Sequence, residues 1–348
     1  MAQSGLASAL ADYIAIQTHA SHVQVEDFNR LSGGAIQDNY ALSLLLEGGD
    51  QPGRQHYVVR CDAPSGVSAS LTRPQEFAVL KQAFGAGVTV PQPFWLCDDK
   101  RVIGQSFYVM SRAAGTASPQ KLVGGELSEA QGSELARQFG RELGRLHQIR
   151  PPVSGLAFLA VPAGSAARTR IDLYRDYLAA IDEPHPVLEW ALNWLEDNQP
   201  DSGPLTLCHC DFRTGNYMVD QGRLTAVLDW EFATWSDPAE DLGWLCSRSW
   251  RFGADDREVG GIGHKSDLFS GYEEATGETP DPNRVAYWEV MALVRWAMIA
   301  LQQAGRHLSG EQSSLELALT GRMLPQMEYD LLQQISERSN AKGTGIPL

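Results

Sequence analysis

The apolar pattern of this chain changes period partway along, and that change constrains its fold more than any other feature. Up to Arg112 the apolar residues fall in short β-type runs: YALSLLL at 40–46, HYVVRCD at 56–62 and QSFYVMSR at 105–112. Between them TRPQEFAVLKQAF at 72–84 reads as a single helix, because Thr72 and Gln75 can form a capping box and Phe77, Leu80 and Phe84 recur at helical spacing. From Ser128 onward the helical period dominates. Ser128 with Gln131 opens a helix whose Leu135, Phe139, Leu143 and Leu146 form one stripe, and Pro151 with Pro152 stop the pattern beyond it. A short β region from Leu205 to Trp230 intervenes, with DQG at 220–222 as its turn, and helices resume near Pro238. The pattern predicts an α+β, bilobal chain: a small, mainly β lobe over 1–112 and a larger, mainly α lobe over 113–348, joined through the Gly-, Ala- and Ser-rich AAGTASPQKLVGGELS. The tail SERSNAKGTGIPL is expected to fray.

Composition narrows the partners. The formal charge of −15 repels nucleic acid phosphates and anionic lipid head groups, so neither nucleic acid nor membrane is an expected partner. Five thinly spread cysteines do not form a disulfide framework and fit a reducing compartment. The first residues lack an early Lys or Arg, and Asp12 interrupts their apolar stretch, unlike a secretory signal. Glu289 and Arg295 interrupt the most apolar later segment, WEVMALVRWAMIALQQ, so the expectation is a cytoplasmic protein.

The chemistry concentrates in CHCDFRTGNYMVDQGRLTAVLDWE. There His209, Asp211 and Asn216 form HxDxxxxN, and Asp229 follows Asn216 by 13 residues. This is the spacing of a kinase catalytic loop followed by a metal-binding Asp. Chance supplies HxDxxxxN about 0.01 times in a chain of this composition. Phosphoryl transfer needs an in-line geometry and compensation of triphosphate charge. Asp211 is expected to accept the substrate hydroxyl's hydrogen bond and take its proton late. Asn216 and Asp229 offer the hard oxygen donors that Mg²⁺ selects. Two carboxylates about 5 Å apart repel by roughly 3 kcal/mol at an effective dielectric of about 20, which a bound divalent cation makes tolerable. His209 is expected to brace the loop structurally. A zinc site of Cys208, His209 and Cys210 lacks further ligands at a suitable spacing. Trp288, Arg295 and Trp296 either line an acceptor pocket or belong to the core.

HCDFRTGN, LDWE and SDPAEDLGWL together resemble the aminoglycoside phosphotransferase and choline kinase-like family, whose form is close to HGDFHPGN, DWE and GDPAxDLA. The resemblance spans roughly residues 28–300 and implies a bilobal, protein-kinase-like fold. It also implies an ATP- and Mg²⁺-dependent kinase that transfers the γ-phosphoryl group to a hydroxyl of a small molecule. It carries Asp211 over as catalytic, Asn216 and Asp229 as metal ligands, and Asp241 as a brace on the catalytic loop.

In HYVVRCD, Val58 would lie under adenine and Arg60 would meet the phosphates where most relatives have Lys, with Glu76 pairing to Arg60. Lys81, on a helix, and Lys100, in a loop, are poor substitutes for that cation. Gly33 and Gly34 sit where the phosphate-covering loop belongs, and Met110 to Arg112 would meet the adenine edge as the lobe connector. Arg60, FYVMSRAAG and DWE resemble most the branch associated with acyl-CoA dehydrogenases, some of whose members phosphorylate hydroxyacyl-CoA esters. Two acceptor classes follow, a hydroxyacyl-CoA or an aminoglycoside-like molecule. The alternative is a nucleotide-binding pseudokinase acting as an interaction module, which Arg60 and the irregular glycine loop would suit. The sequence does not fix an oligomeric state.

Overall fold

A computed structural model of the chain describes residues 3–31, 38–62, 70–125 and 127–341. In chain order the first elements are α1 (Gln3–Thr18), β1 (His22–Arg30), β2 (Asn39–Glu47), β3 (Gly53–Cys61), α2 (Arg73–Gly85), β4 (Pro93–Cys97), α3 (Lys100–Ile103) and β5 (Phe107–Ser111). Then come α4 (Pro119–Val123), α5 (Glu129–Leu146), α6 (Ala166–Ala179), α7 (Pro186–Asp197), β6 (Thr206–Cys208), β7 (Tyr217–Asp220), β8 (Arg223–Val227) and β9 (Thr234–Ser236). The last are α8 (Pro238–Cys246), α9 (Lys265–Thr276), α10 (Pro282–Leu308), α11 (Leu315–Gly321) and α12 (Leu324–Ala341). Gly33 and Gly34 lie outside the described residues.

The chain divides into two compact units, Met1–Gly115 with Pro152–Phe158 and Tyr217–Ala233, and Thr116–Pro151 with Leu159–Asn216 and Thr234–Leu348. The first is built on an antiparallel sheet of order β1-β2-β3-β5-β4. Alternation along β3 turns Tyr57, Val59 and Cys61 into a core shared with Leu42, Leu44 and Leu46 of β2 and Leu10 and Ile14 of α1, while Val58 and Arg60 face the other way. The first third therefore contains more than one helix. The sequence reading lacks α1, whose apolar residues are diluted by alanines, and it lacks β1 and β4. Lys100 opens the short α3 rather than lying in a loop.

The Thr72–Gln75 capping box starts α2 as expected, but Phe84 is 43% exposed, and Val79 and Ala83 are buried with Phe77 and Leu80 instead. The β7–β8 hairpin turns at Gln221 and Gly222, both at positive φ (49° and 75°). It lies within the span expected for the α lobe, yet it groups with the sheet unit. Backbone hydrogen bonds explain this: Val227 N–H donates to Thr89 O at 2.8 Å and Leu71 N–H to Glu231 O at 2.8 Å. The Thr225 hydroxyl also donates to Ala114 O at 2.7 Å.

In the second unit the predicted stripe of α5 is buried. Helix α5 meets α9 at backbone distance, because a Cβ at Gly140 would lie 2.0 Å from Leu268 O and one at Gly271 would lie 1.9 Å from Arg137 O. The tail expected to fray is helical as far as Ala341. All five cysteines are buried and free. Among the described residues no helix is long and apolar enough to cross a membrane.

Candidate active site

In the sheet unit, β3 sets Val58 opposite Met110 and Arg60 opposite Tyr108 on β5. Arg60 donates from Nε to Glu76 Oε2 at 3.1 Å, and its Nη2 pairs with Glu76 Oε1 at 2.9 Å and Asp229 Oδ1 at 2.5 Å. Glu76 lies fully buried on α2 and also holds Arg73 of its own first turn. Arg73 reaches Asp62 at 3.4 Å and Glu231 at 3.8 Å. Two guanidinium groups thus face four carboxylates, those of Asp62, Glu76, Asp229 and Glu231. Burial, and next the charge of Asp229, push the Glu231 carboxyl up to about 7. Asp229 itself sits at φ 66°, a conformation costing about 1 kcal/mol for a non-glycine residue and concentrated at functional sites.

On the connector, Arg112 is exposed, and its N–H donates to His56 O at 3.1 Å, while the Ser111 N–H donates to Gln92 O at 2.9 Å. Those two donors are therefore engaged within the sheet unit. Met110 is buried.

In the helical unit, the stretch after β6 is fixed by one buried carboxylate. Asp241, fully buried on α8, accepts the His209 N–H at 2.8 Å and the Cys210 N–H at 2.7 Å. His147 Nε2 lies 3.1 Å from the same carboxylate, and its Nδ1 meets the Tyr272 hydroxyl at 3.1 Å. Burial raises the Asp241 pKa, but the hydrogen bond to His147 and the interactions with His147 and His209, whose backbone N–H also donates, outweigh it and leave the group below its ordinary value. Cys210, where the family form has glycine, adopts φ 60°, and Arg295 donates to its carbonyl at 2.5 Å. His209 Nδ1 accepts the Asp211 N–H at 3.1 Å, so this ring braces the loop.

The loop then presents Asp211, a buried carboxylate. Asn216 Nδ2 donates to the Asp211 carbonyl at 3.0 Å and to its Oδ2 at 2.5 Å. With its nitrogen so engaged, the Asn216 side chain has its carbonyl oxygen left as the atom that can accept or coordinate. Trp244 Nε1 and Arg213 Nε reach Asp211 Oδ1 at 3.0 and 3.2 Å.

The structure therefore gathers Arg60, Glu76 and Asp229 in one unit and His209, Asp211, Asn216 and Asp241 in the other. Sequence reasoning missed Arg73, Glu231, His147, Arg213 and Trp244. A signal existed for two of them: Trp244 is one helical turn beyond Asp241, and Arg213 lies inside the motif itself. The ligand atoms expected of a zinc site are engaged elsewhere, with Cys208 Sγ on Asp237 O at 3.4 Å and Cys210 Sγ facing Arg170 at 3.5 Å. His147, Cys208 and Asp241 do lie within 4.8 Å of one another, but both ring nitrogens of His147 are already bonded. Of the three α10 residues, Trp288 is core, whereas Arg295 stacks over Trp244 at 4.4 Å and Trp296 meets Trp250 at 4.9 Å.

Known proteins share the fold and the family of this chain. The model of the phosphotransferase enzyme family matches residues 27–277. Acyl-CoA dehydrogenase family member 11 of Pongo abelii is 29% identical over 302 residues, which is 83% of this chain but only 38% of that protein. The chain thus spans well under half the length of this relative. Among solved structures, a Ralstonia eutropha protein assigned to the aminoglycoside phosphotransferases superposes with a TM-score of 0.74 at 23% identity, covering 94% of this chain and 97% of the other. Spectinomycin phosphotransferase, solved with ADP and spectinomycin, superposes with a TM-score of 0.62 at 14% identity, covering 94% and 98%. These likenesses establish the fold, an antiparallel sheet unit and a mainly helical unit of the protein-kinase-like type. The family match extends over most of the chain and includes the loop around Asp211: the protein is a member of the phosphotransferase enzyme family.

Proposed function

We propose that the protein is an ATP- and Mg²⁺-dependent kinase of a small-molecule hydroxyl group. The observation that carries the reading is the Asp211–Asn216 pair, in which the amide nitrogen orients the carboxylate and leaves the amide oxygen for a cation. Asp211 accepts the acceptor hydroxyl's hydrogen bond and takes its proton as the new oxygen–phosphorus bond forms. The bond from the γ-phosphorus to the bridging oxygen breaks, and ADP leaves with the electron pair. Asn216 and Asp229 are the metal ligands in this reading. Their oxygen donors suit Mg²⁺, which when bound would neutralise phosphate charge. Arg60, fixed by Glu76, takes the place of the usual phosphate-binding Lys, and Val58 and Met110 provide an apolar face for adenine. Gly33 and Gly34 belong to the phosphate-covering loop in the same reading. The buried contacts of Arg60 weaken the main motive for the pseudokinase alternative, since its guanidinium is an integral part of the cluster.

For the acceptor we keep two classes, hydroxyacyl-CoA esters, from the resemblance to the branch associated with acyl-CoA dehydrogenases, and aminoglycosides, on which solved relatives of the same fold act. The decisive experiment measures acceptor-dependent ADP release from ATP, with and without Mg²⁺, over panels of both classes in wild type and Asp211→Ala. Release that needs Mg²⁺ and is lost in Asp211→Ala supports the reading. Its absence with every acceptor, or its persistence in the variant, removes it.

A further inference from the structure

Three donors converge on the Asp211 side chain, and they are divided unequally between its oxygens. A carboxylate has about four acceptor directions, two on each oxygen. Oδ1 receives Trp244 Nε1 and Arg213 Nε, while Oδ2 receives Asn216 Nδ2 alone. Among the described residues Oδ1 is therefore saturated, and Oδ2 keeps one direction open.

We infer that Trp244 is a positioning residue for the transfer: with Arg213 it closes Oδ1, so the acceptor hydroxyl engages Asp211 through Oδ2 alone. This rests on the phosphotransfer reading above. The hydroxyl proton then passes to Oδ2 while its oxygen bonds to the γ-phosphorus and ADP departs.

Packing keeps both donors in place. Trp244 is 2% exposed and lies against the guanidinium of Arg295, 4.4 Å from its ring, and against Trp250, 5.1 Å between centroids. The Arg213 guanidinium stacks over Trp250 at 4.6 Å, and its Nη1 donates to Thr214 O at 3.2 Å. Asp241 and Trp244 are one turn apart on α8, so a single helix holds the backbone of the loop with one residue and the side chain of Asp211 with the next. A carboxylate released from Trp244 could turn about its terminal bond and present the wrong oxygen.

Trp244→Phe keeps an aromatic ring and removes the N–H. With ATP and Mg²⁺ as substrates and water as the phosphoryl acceptor, kcat for ADP release should fall about tenfold, with KM for ATP unchanged within about twofold. Trp194→Phe, which alters a ring stacked on Tyr287 in α10, should change neither. A second measurement needs no turnover. In protein labelled with ¹⁵N-tryptophan, the indole signal missing from Trp244→Phe belongs to Trp244, and it should move in Asp211→Asn while the Trp194 signal stays in place. If wild type releases no ADP with water, kcat is read with the acceptor panels instead; if it releases none with any acceptor, the phosphotransfer reading fails by itself and the indole signal still reports whether Trp244 holds Asp211. Where Trp244→Phe does not fold, Arg213→Gln withdraws the other Oδ1 donor from a partly exposed side chain and should lower kcat severalfold at constant KM. An unchanged kcat in the variant that folds, or a Trp244 indole signal indifferent to Asp211→Asn, overturns the inference.

Discussion

The two units hold the acids of the candidate site in opposite ways. In the sheet unit, Glu76 and Asp229 are held chiefly by charged side chains, Arg60 and Arg73, and the carboxylates outnumber the guanidinium groups. In the helical unit, Asp241 is held by backbone N–H groups and His147, while Asp211 is held by an indole, an amide and one guanidinium. Ion pairs hold an acid by charge and place little demand on its direction. A carboxylate held mainly by dipoles is fixed in direction before any ligand arrives, which is the preorganisation a catalytic group requires.

Substitutions can break this contrast, and the largest effect belongs to the reacting group. Asp211→Ala should lower ADP release by about a thousandfold while shifting the melting temperature by only a few degrees. Glu76→Gln leaves Arg60 and Arg73 without a shared buried counterion and should cost about 3 kcal/mol in denaturant unfolding. Asp241→Asn keeps one acceptor for the loop N–H groups and should cost less, about 2 kcal/mol. The reverse order of these two losses would show that dipoles, not ion pairs, carry the heavier load.

Asp241 also gives the contrast a pH signature. Its folded pKa lies below its ordinary 3.8, so its contribution to stability is present above that value and lost as pH falls through the folded pKa. In Asp241→Asn that part of the acid limb should vanish from a plot of melting temperature against pH. The smallest change is expected at Cys210→Gly. Relief of the positive φ is worth about 1 kcal/mol and is offset by the lost burial of the sulfur, so stability should move by no more than about 1 kcal/mol either way.

Much of this was legible in the residues, and the rest was hidden for physical reasons. Apolar runs and capping signals identified β2, β3, β5, α2 and α5. In helix α1 the buried Leu10 and Ile14 lie among alanines and beside the exposed Ile16, and β4 begins with a proline and is only five residues long. The HxDxxxxN spacing named His209, Asp211 and Asn216, since a loop must present them within a few residues of each other. It could not name Trp244 or Arg73, whose roles depend on tertiary contacts. Nor could local pattern reveal that Glu231, two residues past Asp229, shares a charge cluster with Arg73.

The hairpin β7–β8 carries one more consequence. It completes the sheet unit, yet it follows Asn216 in the chain, so a ribosome that has released only the first 115 residues has not yet delivered it. Thr89, Ala114 and the backbone at Leu71 must wait for partners made later, after α5, α6 and α7 have already emerged. A fragment of the first 115 residues therefore holds the whole five-stranded sheet and lacks these three hydrogen bonds.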